Sequence, residues 1–422
     1  MQTLAEKLVS RASGKADLSP GDIVICKVDL AMIHDSGGPR RVKPVLERLG
    51  CNVWDSSKVV VVTDHYVPAE NPESQAIQAL TRQWVVDQDI AHFYDEQGIC
   101  HVVLPERGHL APGMFCVGGD SHSPTGGAFG AYMFGIGATE MAGVLATGEI
   151  WLKVPETILI RWRNHLGPMV TAKDMMLATC RRIGMGGGRY QAIQYAGEAI
   201  ADLSMQDRMT MSNMAAELGG QAGLIAPDEK TVAYIRDAGG QVPDDWQDYQ
   251  IETAGSNGEV IDFDAATLAP QIAAPHSPAN ADDAAVFSKT DFHVAYIGAC
   301  TGAKYVDLAA AARVLKGRRI ASGITLKVAP ASLKDQQRAE ADGIMKILEE
   351  AGAEFLGNAC GICAGYGEDR LAEDQVCLSS TARNFKGRMG AASSKVYLAS
   401  PYTVAASAVT GQLTDPRLVV EG

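Results

Sequence analysis

The chain has 422 residues, 46% of them hydrophobic and 21% charged, an ordinary globular composition long enough for two or three domains. Its 37 basic and 50 acidic residues give a net charge of −13, which argues against a broad phosphate-binding surface and so against nucleic acid as a partner. No run reaches the about 18 unbroken apolar residues of a membrane helix, and the opening Met1-Gln2-Thr3-Leu4-Ala5-Glu6-Lys7 is not built like a secretory signal. The expectation is a soluble cytoplasmic protein without a membrane partner.

In chain order, residues 3–13 predict an amphipathic helix and Ile23-Val24-Ile25-Cys26-Lys27-Val28-Asp29 a buried strand. Val59-Val60-Val61-Val62-Thr63 predicts another strand, running straight into Asp64-His65, and Pro72 marks the start of a helix over 71–89. Val102-Val103-Leu104 and Met114-Phe115-Cys116-Val117 are short strand candidates, and a Gly-rich loop follows over 118–127. A helix is expected over 137–148 and a strand over 157–162. The stretch 252–290, rich in Ala, Pro, Asp and Asn, reads as a linker. Beyond it come a strand over 294–297, a helix over 304–315, a strand over 325–328, a helix over 331–351 and the loop 357–365. Strands alternating with helices imply α/β layers around parallel sheets.

Nine cysteines, an odd number in a large chain, do not read as a disulfide framework. Cys26, Cys51, Cys116 and Cys180 sit in apolar or mixed stretches and read as buried small hydrophobes. Cys360-x-x-Cys363 brings two thiols within reach of one metal centre, and Cys300 lies in a glycine-flanked turn at a strand end. A C-x-x-C alone is equally a redox pair or half a zinc site. Three cysteines in Gly-rich loops suit a [4Fe–4S] cluster with one iron left open. Asp64-His65, His101 and Asp120-Ser121-His122 place carboxylates and histidines after strand ends, where they make proton carriers. Arg383 and Arg388 flank a turn, and paired arginines recognise carboxylates or else form a solvated basic loop.

Together these motifs resemble the aconitase superfamily in order and spacing. They are Val62-Thr63-Asp64-His65, the 119–127 loop, Gly298-Ala299-Cys300-Thr301-Gly302, Cys360-Gly361-Ile362-Cys363 and Arg383-Asn384-Phe385-Lys386-Gly387-Arg388. Residues 198–205 and 209–217 are most similar to the large subunits of isopropylmalate isomerases and homoaconitases. The resemblance implies three α/β/α domains around a central cleft, two interleaved over 1–285 and a third over 286–422, without the swivelling C-terminal domain. It implies a hydro-lyase that removes and re-adds water on a hydroxy di- or tricarboxylic acid, using a [4Fe–4S] cluster held by Cys300, Cys360 and Cys363 as Lewis acid. Catalytic roles would fall to Asp64, His65, His101, Asp120, His122 and Glu217. Substrate contacts would fall to His34, Asp35, Ser121, Asn213, Arg383 and Arg388. The family's serine base lies on the swivelling domain, and no Gly-Ser-Ser-Arg-like segment is found here, so a separate small subunit is expected.

Ala382, Gly302, Ile362 and Gln194 depart from the residues common in the family at those positions. They leave the substrate open among isopropylmalate-like acids, homoaconitate and 2-methyl- or dimethylmalate. A zinc or redox C-x-x-C protein, an RNA-binding relative and a cluster-less paralogue are the competing readings.

Overall fold

The structure, a computed structural model, describes residues 2–256 and 258–420; the outermost residues of the two expected domain ranges lie outside the described residues. Three sheets organise the chain. The first has five parallel strands, in the spatial order His92–Asp95, Val59–Thr63, Leu30–His34, Phe115–Gly118 and Tyr132–Gly135. Its central strands are buried on both faces, as the unbroken Val59-Val60-Val61-Val62 run requires. Because the strands are parallel, His34, Asp64-His65 and the 119–122 turn all emerge at one edge of the sheet.

The second sheet has four parallel strands, Ala222–Ile225, Ala192–Ala196, Thr157–Arg163 and Glu259–Asp264. The third has seven: Ala281–Asp283, Gln271–Ala273, Lys395–Ala399, Val376–Ser379, Val294–Ile297, Thr325–Val328 and Ala353–Phe355. Its last five are parallel, and the 271–283 hairpin adds an antiparallel edge. A separate antiparallel ribbon pairs Ile23–Lys27 with Glu149–Lys153. No helix among the described residues is long and apolar enough to cross a membrane.

Three sequence expectations change. The stretch 252–290 is not a linker: Glu259–Asp264 is the edge strand of the second sheet, and its Asp262 pairs with Arg163 at 3.0 Å on the neighbouring strand. An edge strand with one solvated face is polar enough to look like a loop in sequence. The 271–283 hairpin within this stretch belongs to the third sheet. Val102-Val103-Leu104 lies in a helix, Cys100–Glu106, not a strand. The Asp64 carboxylate accepts the Cys100 N–H at 2.8 Å, satisfying one of the free donors at that helix's start. The helix expected over 331–351 is two, Leu333–Ala341 and Ile344–Ala351, broken at Gly343 with φ +73°.

Candidate functional site

The histidine–acid groups form a continuous buried cluster at the edge of the first sheet. His34 stacks on His65 with centroids 4.1 Å apart, its Nε2 lies 3.1 Å from the Gly119 carbonyl, and its Nδ1 has no partner. Burial, then the charge of His65, draws the His34 pKa down to about 4, so this ring is neutral. Asp35 shapes the turn by accepting the amides of His65 at 3.1 Å and Tyr66 at 2.9 Å. The Asp64 Oδ1 lies 2.6 Å from His65 Nδ1. Burial opposes charge on both groups, yet their mutual attraction prevails: His65 rises to about 10 and Asp64 falls to about 2. The pair is therefore an imidazolium–carboxylate at neutral pH.

A second unit joins His101 Nε2 to Asp120 Oδ1 at 2.7 Å, and the same oxygen accepts the His122 amide at 2.8 Å. Although burial would raise it, the bonds from His101 and His122 keep Asp120 well below the usual carboxylate range. His122 Nε2 lies 3.1 Å from Glu217 Oε1, which also accepts Arg383 Nε at 2.5 Å. Arg383 Nη1 donates to Ser121 Oγ at 2.8 Å. Burial favours protonation of Glu217, but Arg383 and then His122 hold it ionised.

The cysteines face this cluster. Cys300 follows the strand Val294–Ile297, and its Sγ accepts the Asn213 Nδ2 at 3.2 Å; the same amide reaches Thr125 Oγ1 at 2.9 Å. Cys360 and Cys363 lie one turn apart, Cys363 inside the short helix Gly361–Ala364, and the Cys360 N–H donates to the Asp64 carbonyl at 2.8 Å. A hydrogen bond from Cys360 pulls Cys363 down to about 6 against burial, with Arg388, His122 and Arg383 assisting, while Cys360 is pushed up. Burial holds Cys300 at about 12. Cys377, by contrast, is fully buried in the strand Val376–Ser379 and packs in a hydrophobic core.

Thus residues from all three sheet units meet: the histidines and Ser121 from the first, Asn213 and Glu217 from the second, and the cysteines and arginines from the third. Four buried polar atoms here lack any partner, namely His34 Nδ1, Asn213 Oδ1, Glu217 Oε2 and Arg388 Nε. Buried polar atoms are nearly always satisfied, so these four orphans, one on the residue that bonds the Cys300 sulfur, make this a candidate site for a bound group. Among the described residues, the acid–histidine groups His34/Asp35/Asp64/His65 and His101/Asp120/His122 each bring their ligand atoms within 4.8 Å of one another; the cysteine trio is not so tightly drawn. Three thiols beside these groups, one of them already accepting a side-chain amide hydrogen bond, are a donor set that suits an iron–sulfur cluster.

The sequence reading did not single out Tyr366, Thr125, Lys173 or Lys304. Tyr366 sets its ring edge against His65 at 5.8 Å. Lys304 Nζ donates to the Cys300 carbonyl at 3.1 Å. Nothing in sequence distinguishes such a lysine from a solvated one at a helix start. The departures also have a local basis. A side chain at Gly302 would run into the Ser380 side chain and lie 2.5 Å from its carbonyl oxygen. Ala382 and Ile362 pack in the core beside Cys377, and Gln194 is buried with its amide on the Ile251 carbonyl.

Residues 6–288 and 280–411 match the Aconitase family (aconitate hydratase). The chain belongs to the aconitase family. With membership come the hydro-lyase class and the α/β architecture expected from the motifs. Among its relatives, the 3-isopropylmalate dehydratase large subunit 1 of Methanopyrus kandleri is 44% identical over 99% of each chain. The probable 3-isopropylmalate dehydratase large subunit of Methanothermobacter thermautotrophicus is 40% identical over 98% of each. The 3-isopropylmalate dehydratase large subunit of Moorella thermoacetica is 40% identical over 99% of each.

Proposed function

We propose that this chain is the large subunit of a two-subunit hydro-lyase that dehydrates and rehydrates an isopropylmalate-like hydroxy dicarboxylic acid. The observation that carries this reading is the set of unsatisfied buried atoms on His34, Asn213, Glu217 and Arg388, with Asn213 bonded to the Cys300 sulfur, in a chain whose relatives are full-length large subunits. The three units centred on the sheets are the domains, and the site lies in the cleft where they meet. Cys300, Cys360 and Cys363 would hold a [4Fe–4S] cluster, which when bound supplies a Lewis-acidic iron for a hydroxyl and a carboxylate.

The chain's own residues account for the rest. His65, kept protonated by Asp64, has a proton to deliver to a departing hydroxyl at neutral pH. His101 on Asp120 and His122 on Glu217 hold and orient water through defined ring nitrogens. Arg383 is fixed at Nε by Glu217 and at Nη1 by Ser121, leaving Nη2 for a substrate carboxylate, and the Arg388 Nε is a second free donor. Asn213 Oδ1 and His34 Nδ1 are free for the substrate side, and Asp35 serves it from beneath by setting the His65 turn. Charge developing on a substrate carboxylate during proton loss would thus meet preorganised cations in a water-poor cleft. The base for the carbon-bound proton belongs to the small subunit.

The test is anaerobic iron–sulfide reconstitution, followed by assay with the small subunit and a series of substituted malates. About four irons per chain and turnover only with both subunits support the reading. Zinc in place of iron, or full turnover by this chain alone, overturns it.

A further inference from the structure

The Cys300 turn and the loop bearing Arg383 follow different strands of the seven-stranded sheet, and one side chain from outside that sheet ties them together. Lys173 is the second residue of the helix Ala172–Ile183 and is 2% exposed. Its Nζ donates to Thr301 Oγ1 at 3.1 Å and to the carbonyls of Ser380 and Thr381, each at 2.7 Å. Those bonds use all three ammonium donors, so the side chain has no capacity left for solvent or substrate. Burial, with Lys304 adding to it, draws its pKa down to about 8, so keeping a cation here carries a desolvation cost. The helix is itself anchored: Asp174 closes a capping box with Thr171, and its other oxygen accepts the Gln271 amide at 2.8 Å.

The bonded residues are close to the chemistry. Thr301 is next to Cys300, and Thr381 is two residues from Arg383. Hydroxyls also stitch the two turns: Thr301 Oγ1 to the Ser380 carbonyl at 3.1 Å, and Ser380 Oγ between the Gly298 amide at 3.0 Å and the Gly302 carbonyl at 3.2 Å. Lys304 secures the Cys300 carbonyl from the other side but does not reach the arginine loop. Lys173 is therefore the charged link between the thiol and the arginine.

We propose that Lys173 is a positioning residue of the site, fixing the Cys300 turn against the Ser380–Arg383 loop so that the group held by the cysteines and the arginine that takes the substrate carboxylate keep one register. It touches neither and acts through both loops. The inference rests on the proposed hydro-lyase reading and adds to it a residue from outside the site.

Lys173→Met keeps the side chain's length but leaves the Ser380 and Thr381 carbonyls without their donor, and Lys173→Gln restores part of the donor capacity. Hydrogen exchange is measured on the apo-chains, and KM and kcat on the reconstituted two-subunit complex. The expected result is exchange about tenfold faster over 298–303 and 379–388 in Lys173→Met, less in Lys173→Gln, with the 59–63 strand unchanged. KM is expected to rise about tenfold with kcat changing less, as loss of carboxylate positioning predicts. Unchanged exchange in both segments, or a uniform rise across the chain with KM unaltered, overturns the proposal. If Lys173→Met does not fold, Lys173→Gln decides by the same criteria. Failure of the wild-type chain to take up iron would defeat the hydro-lyase reading, whereas the exchange data judge the tie independently.

Discussion

Replacing Asp64 with Asn keeps the side chain's shape and removes the charge that keeps His65 protonated. The two are buried, 2.6 Å apart. His65 stands at about 10 against an ordinary 6.5, and Asp64 at about 2 against 3.8. At about 1.4 kcal/mol per unit, the histidine's shift corresponds to roughly 5 kcal/mol and the carboxylate's to roughly 2–3 kcal/mol. Both shifts are what remains after burial has opposed the attraction, and together they bracket the range expected for breaking a buried pair. The His65 contribution is fully present below pH 6.5 and is lost as pH rises through about 10; that of Asp64 is present above pH 3.8 and lost as pH falls through about 2. The melting temperatures of wild type and Asp64→Asn should therefore differ most in the mildly acidic range and converge above about pH 10. In the variant, burial opposes the charge with only the more distant Asp120 and Asp35 left to favour it, so His65 gives up its proton at a much lower pH than in the wild type. A kcat loss of about 10²–10⁴-fold is expected, with the alkaline limb of the kcat profile moved to near or below neutrality. The assay follows the ultraviolet absorbance of the unsaturated acid in the reconstituted complex. A variant within about threefold of wild type, with the alkaline limb unmoved, refutes the assignment of His65 as proton donor.

Changing Cys300, Cys360 or Cys363 to Ser should each reduce bound iron sharply after reconstitution, whereas Cys377→Ser, in a core strand, should keep the iron and lose about 1–3 kcal/mol of stability, read by iron analysis and thermal melting. Arg383→Lys gives up the fork that engages Glu217 and Ser121 together, so kcat/KM should fall about a hundredfold, mainly through KM; an unchanged KM would count against the carboxylate clamp. Gly302→Ala forces a methyl into Ser380 and should cost about 1–3 kcal/mol and weaken cluster retention; a melting temperature equal to wild type would show that the turn can yield.

Much of the site was legible along the chain because its groups follow strand ends, and strand ends are visible in sequence. The Val59–Thr63 run announces a doubly buried strand, which puts Asp64-His65 at its carboxyl end. Gly-rich turns around Cys300 and Cys360 announce close backbone approach. The same local logic failed where context overrode it. Val102-Val103-Leu104 has strand residues but a helix start capped by a carboxylate 36 positions earlier. The edge strand Glu259–Asp264 has the polarity of a loop because its outer face is solvated.

What the sequence determined by itself was most of the order of α/β elements, the reading of Cys116 as a core cysteine, and the family. Those properties depend on periodicity and on residue types at short spacing. Only the tertiary structure decided that His122 and Arg383 share one carboxylate of Glu217, that Asn213 serves the Cys300 sulfur, and that Lys173 ties together two loops that both lie more than a hundred positions from it in the chain. Each of those is a long-range hydrogen bond in a buried, low-dielectric place, where a polar atom must find whichever partner the folded chain brings near. Sequence carries no local trace of such a partner, because the two residues become neighbours only when the three sheets pack.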